Sequence, residues 1–158
     1  MKQKNRLGFS TIELLIIFAV VSLLVAFIAT HYASVRQKSR DDSRRTNISN
    51  LQFAAESYFA QSGDYPTLAQ FNSALFRNKN MPALPNGSWQ DPSWPTKKSE
   101  CKVASVAVLV DLETPAVGCY GYVPTPAGCD NKKTICTGYE FSAHLEGGGY
   151  YVKNSSGA

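Results

Sequence analysis

The run from Leu14 to Ala29 is apolar at every position but Ser22. Counted from Ile12, as a helix it rises about 27 Å at about 1.5 Å per residue, close to the roughly 30 Å hydrocarbon core of a bilayer. Glu13 stands at its head, where an ionised carboxylate is costly and needs a physical reason. A short basic leader, Met1 to Gly8, carries Lys2, Lys4 and Arg6 in front of it. A secretory signal peptide would show a small-residue cleavage site behind the apolar run, and no clear Ala-x-Ala site precedes Arg36. A plain membrane anchor fits the length but explains neither Glu13 nor the Gly8-Phe9 junction.

The remaining composition narrows what the chain can do. Of 16 Lys and Arg, three lie in the leader, leaving 13 against 12 Asp and Glu. The basic balance is therefore mostly a property of the leader, and nucleic-acid binding by bulk charge loses most of its support. Cys101, Cys119, Cys129 and Cys136 all fall after residue 100. An even count in a Gly- and Pro-rich region points to disulfides and an oxidising compartment. No pair has Cys-x-x-Cys spacing and the histidines are His31 and His144, so a zinc site is not expected.

Leader-Gly8-Phe9-Ser10-Thr11-Ile12-Glu13-Leu14-Leu15 resembles the prepilin-type cleavage and methylation motif of type IV pilins and pseudopilins. The resemblance implies that a prepilin peptidase cuts after Gly8 on the cytoplasmic side and methylates the new amino terminus at Phe9. It also places the family's assembly glutamate on Glu13. Cutting ahead of the apolar run leaves the mature chain anchored. Glu13 is then offset by an amino terminus, its own or a neighbour's, because a buried charge needs a partner.

Arg36, Lys38, Arg40, Arg44 and Arg45 follow the span, five basic residues against three in the leader. Counted naively, that would keep the C-terminal side in the cytoplasm. The cysteines and the resemblance put it outside, and the expected orientation follows them. Residues 30–62 contain no proline. Lys38 with Asp42, and Asp41 with Arg44 and Arg45, are spaced as pairs on a solvated helix face. Ile48, Leu51, Ala55, Tyr58 and Phe59 form an apolar stripe that a folded head could cover, while Val35 and Phe53 point away from it. Gly63 is the expected helix stop, with Pro66 beyond it. Gly63-Asp64-Tyr65-Pro66 resembles the Gly-x-Tyr-Pro turn common after the pilin helix. The helix-loosening glycine or proline often seen in the family's apolar half is missing between Phe9 and Ser62.

In the head, Thr67 to Phe76 is a helix candidate with Leu68, Phe71 and Leu75 on one side. Residues 77–100, rich in proline and holding Trp89 and Trp94, read as a surface loop pinned by its tryptophans, with a carbohydrate or partner surface as the alternative. Val103 to Val110 suggests a strand buried on both faces, and Tyr120 to Val123 a shorter one. From Thr137 to Leu145, Tyr139, Phe141, Ala143 and Leu145 alternate with polar residues before Gly147-Gly148-Gly149 turns the chain into Tyr150-Tyr151-Val152. His144 falls on the polar side, and the tail Asn154 to Ala158 is expected to fray. Cys129 with Cys136 and Cys101 with Cys119 are the favoured disulfides, though four cysteines allow three pairings. A C-terminal disulfide loop of this kind resembles that of many pilin heads. Asp130 and Asn131 lie in it, without the dense run of oxygen ligands that calcium requires.

No nucleophile elbow, phosphate loop, metal-binding helix or carboxylate pair of glycosidase type can be picked out. The expected fold is α+β, a long N-terminal helix packed on a small antiparallel sheet. Its parts are a cleaved leader (1–8), a transmembrane and assembly half-helix (9–35), an amphipathic half-helix (36–62) and an extracytoplasmic head (63–158). The expected function is a type IV pilus-like filament subunit, without enzymatic activity, cofactor or metal. Its partners are other copies or related pilins, the prepilin peptidase and the inner membrane, and not nucleic acid. The head lies outside the membrane until the subunit joins an extracellular or periplasmic filament. A pseudopilin or minor pilin of a secretion or DNA-uptake machine, or a non-polymerising single-span binding module, is the alternative. A third idea, DNA binding by the 36–45 cluster, predicts a steep salt dependence.

Overall fold

The computed structural model describes residues 10–94 and 109–156, and only the backbone of residues 29 and 30. The chain divides into two compact units, Met1–Arg36 and Gln37–Ala158. Helix α1 runs unbroken over Thr11–Ser62, 52 residues free of Gly and Pro. Gly63 stops it as expected: its φ is +79°, and its N–H reaches the Phe59 carbonyl at 2.8 Å. A left-handed residue here lets the chain turn away while satisfying a terminal carbonyl, which glycine does without a Cβ clash.

In the second unit the sheet is a three-stranded antiparallel meander, β1 (Tyr120–Thr125), β2 (Gly138–His144) and β3 (Tyr150–Asn154), in the order β1-β2-β3. Tyr139, Phe141 and Ala143 of β2 are buried on one face, Ser142 of the face expected to be polar is buried too, and the register sets Tyr122 opposite Phe141. These rings meet Ile48, Leu51, Ala54 and Ala55 of α1 in one core with Tyr65 and Phe71. The stripe read from the sequence is thus the buried one at Ile48, Leu51 and Ala55. Phe59 lies at its margin, stacked on Tyr65 at 4.4 Å between centroids, and Val35 and Phe53 are exposed.

The helix expected over Thr67–Phe76 is two. Helix α2 (Leu68–Asn72) opens with a capping box between Thr67 and Gln70, and α3 (Ala74–Asn80) opens on Ser73. Ser73 adopts extended backbone and its hydroxyl accepts from the Phe76 N–H, so the chain restarts there. The restart sends Leu75 into solvent while Phe71 stays buried, so the two do not share a face. Residues 77–80 belong to α3 rather than to the loop. Beyond it, Trp89 packs on the main core and Trp94 on Val110 and Cys119. Val110 bridges Gly121 in parallel; the rest of the strand expected over Val103–Val110, to residue 108, lies outside the described residues. The tail does not fray as expected through Ser156. Asn154 ends β3, Ser155 N–H donates to Tyr139 C=O, and Ser156 N–H donates to the Glu56 carboxylate at 3.1 Å.

Candidate assembly helix

In the first unit every side chain from Thr11 to Ile28 is exposed, and the most apolar 18-residue window of α1 has a mean hydropathy of 2.9. Helical backbone satisfies its own N–H and C=O groups, the condition for standing in lipid. The one polar side chain of the apolar run, Ser22, donates back to the Ala19 carbonyl at 2.9 Å, which removes most of its cost there. Glu13 lies exposed in the first turn of α1, where the positive end of the helix dipole favours a carboxylate. Among the described residues no cation pairs with it. Gly8 and Phe9 lie outside the described residues. At the other end of the apolar stretch, Phe27 and His31 touch ring to ring at 4.9 Å, and the Arg36 guanidinium lies 4.3 Å over the Tyr32 ring. Aromatic and basic side chains grouped at the end of an apolar span suit a headgroup boundary.

In the second unit Asp41 and Arg44 pair at 2.7 Å, as their spacing predicts, but not on a solvated face. Arg44 is fully buried and Asp41 nearly so, and the two form a hub, while Lys38, Asp42 and Arg45 are exposed as expected. The Arg44 guanidinium donates to Asp91 Oδ2 at 2.7 Å and Oδ1 at 3.0 Å, to Asp41 Oδ1 at 2.7 Å and to Glu146 Oε1 at 2.9 Å. It therefore ties α1 to the 81–94 segment and to the turn after β2. Arg40 grips Glu146 from the outer side through two further bonds. The N–H groups of Glu146 and Gly147 each donate to Asp41 at 2.9 Å. Burial alone would lower the Arg44 pKa; its bonds to Asp91, Glu146 and Asp41 raise it above the ordinary guanidinium value instead. Burial likewise works to raise Asp41, but the N–H groups of Glu146 and Gly147 and the Arg44 guanidinium hold it below the usual range. Glu146 is held low first by Arg40, against burial, and also by Arg44. A burial pattern like this needs a planar, permanently charged fork, which lysine could not supply. Lys38 is not in the network; Asp42 pairs instead with Arg45 at 3.1 Å in the open.

A second junction explains Gly63-Asp64-Tyr65-Pro66. The Tyr65 ring sits edge-on to Tyr139, and both phenols donate to Glu56, at 3.0 and 2.7 Å. The buried Pro66 carbonyl accepts from Tyr122 at 2.6 Å. Cys129 and Cys136 are disulfide-bonded, and their loop is fastened to this turn. Tyr65 N–H donates to Cys136 C=O, while Asn131 donates to Tyr65 C=O and accepts from Cys136 N–H. Asp130 is spent on the loop itself, accepting three N–H groups from Lys132 to Thr134. Cys119 is buried and disulfide-bonded; Cys101, its expected partner, lies outside the described residues. The hub leaves no local signal in the sequence, because Asp91 and Glu146 stand 47 and 102 residues away from Arg44.

No family model matches the chain, and no solved structure matches it. Among curated proteins, the type IV major pilin protein PilA of Myxococcus xanthus (strain DK1622) is 28% identical over 115 residues, covering 73% of this chain and 47% of the relative. The chain thus spans about half the length of the curated relative it matches. The similarity and the α+β fold on a long N-terminal helix together support a pilin-like, structural class of protein.

Proposed function

We propose that the chain is a subunit of a type IV pilus-like filament. The observation that carries this reading is α1 itself: one uninterrupted helix, apolar and exposed through Ile28, whose later turns form the spine of a folded head. A precursor held in the inner membrane is cleaved after Gly8 by a prepilin peptidase and methylated at Phe9. Subunits then gather through their apolar helices, and Glu13 of one meets the amino terminus of a neighbour. Pairing a carboxylate with an amine in an apolar bundle favours one axial register, since any other leaves both charges uncompensated. The role is structural, and the similarity to PilA favours it over an enzymatic one.

Mass analysis of the mature amino terminus tests the processing step: a chain starting at methylated Phe9 is expected, and one starting at unmodified Met1 refutes it. Glu13→Ala tests assembly. Filaments should be lost while membrane insertion persists; filaments at the wild-type level would refute the register argument. A pseudopilin of a secretion machine is the second reading, favoured by the absence of any break in α1 from Thr11 to Ser62.

A further inference from the structure

Arg77 in α3 is buried, with 7% of its surface exposed. One guanidinium nitrogen donates to the Phe71 carbonyl at 2.7 Å, at the end of α2, and the guanidinium lies 4.2 Å over the Trp89 ring. Among the described residues its Nε has no hydrogen-bond partner. The carbonyl and the ring are dipolar and quadrupolar partners, and neither is an anion. Burial accounts for the downward pull on its pKa, with no carboxylate among the described residues acting against it. The contrast with Arg44, which meets three carboxylates, is direct. A guanidinium keeps its charge at neutral pH wherever it sits, so burial without a counter-ion is a standing cost.

Arg77 lines a cavity of about 220 Å³ together with Asn78, Met81, Leu84, Asn86 and Trp89. We propose that this cavity binds a carboxylate-bearing sugar residue, its carboxylate paired with the Arg77 guanidinium. The side-chain amides of Asn78 and Asn86 offer donors and acceptors for hydroxyls, and Met81 and Leu84 offer an apolar wall for the C–H face of a ring. The acidic side chain of a peptide would satisfy the charge but leave the amides and the wall unused.

The test uses the full chain in detergent micelles with ¹⁵N-labelled indoles, Trp89 being told from Trp94 by Trp94→Phe. Glucuronate should shift the Trp89 indole signal saturably, and glucose at the same concentration should not. Arg77→Gln should abolish the response. Because that change falls on a buried residue, Asn78→Asp serves beside it: Asn78 is exposed and lines the same cavity, so a carboxylate there sets a competing negative charge at the site. Asn78→Asp should weaken glucuronate at least tenfold while the Trp94 signal stays in place. An absent or non-saturable glucuronate shift, an equal response to glucose, or full affinity in Asn78→Asp overturns the proposal. Acetate or an aspartyl peptide binding as tightly as glucuronate overturns the sugar assignment.

Discussion

Replacing Arg44 by methionine keeps the bulk of the side chain and removes the charge at the centre of the hub. The consequences differ from one carboxylate to the next. Glu146 keeps both bonds from Arg40, and Asp41 keeps the N–H groups of Glu146 and Gly147. Asp91 suffers most: its side chain is 1% exposed, and it loses both guanidinium bonds, retaining Ser93 N–H and hydroxyl. Breaking a buried pair from one side costs about 3–5 kcal/mol, mostly through the charge left behind. That is roughly a 10²- to 10⁴-fold shift in the folding equilibrium at about 1.4 kcal/mol per decade. Urea unfolding of the full chain in micelles, followed by tryptophan fluorescence, reads it out, because both tryptophans, Trp89 and Trp94, lie in the head. Adding Asp91→Asn to Arg44→Met should return about 2 kcal/mol, whereas Asp91→Asn alone should destabilise. Arg45→Met, at an exposed pair, should stay within about 0.5 kcal/mol. A cost for Arg44→Met below about 1 kcal/mol, or no coupling to Asp91, refutes the hub.

Asp41, Glu146 and Glu56 are each held below their ordinary pKa, Glu56 against burial by Tyr139, Ser156 N–H and Tyr65. The stability they contribute is present above their unfolded values, near 3.8 and 4.5, and is lost as pH falls through the lower folded values, so the urea midpoint should be level near pH 6 and drop steadily below pH 4. The Tyr65 phenol, raised to about 12 by burial and by Glu56, gives the opposite limb, with stability lost as pH climbs from 10 toward 12. Gly121→Ala should cost about 3 kcal/mol or prevent folding, because a Cβ there would meet the Leu112 carbonyl oxygen at 2.0 Å; a thermal midpoint unchanged from wild type would contradict the packing. Removing the Cys129–Cys136 bridge as a double alanine variant should cost about 2.5 kcal/mol, the closure entropy of a loop this short, measured by chemical unfolding under non-reducing conditions.

Much of the fold is legible in the amino-acid sequence, and for a common reason. Ile48, Leu51 and Ala55, like Tyr139, Phe141 and Ala143, declare themselves because burial on one face imposes a period on a single stretch of chain. Gly63 declares itself through a backbone conformation that few residues tolerate. The parts that depart from the sequence pattern have their cause elsewhere in the chain. Ser73 can sit within a helix or restart one, and only the packing of Phe71 against Tyr122 and Phe141 decides which. Arg44 stands at ordinary surface spacing from Asp41, and nothing local reveals the two distant acids that bury it.

The hub also accounts for the charge count that ran against the proposed orientation. Five basic residues follow the apolar run, but two of them, Arg40 and Arg44, answer acids of the folded head rather than a membrane. Discounting them leaves Arg36, Lys38 and Arg45 against three in the leader, and the asymmetry disappears. A basic residue near a span can be kept for a contact in the fold, and a bare count does not separate that from a role in orientation. Here the fold demands two, because Glu146 and Asp91 have to be neutralised where the head closes on its helix. A chain with Arg40 and Arg44 both replaced by methionine should keep the orientation of the parent while losing head stability. Accessibility of an engineered cysteine at exposed Asn86 in intact cells checks the orientation, and a reversal would show that those two arginines act on insertion after all.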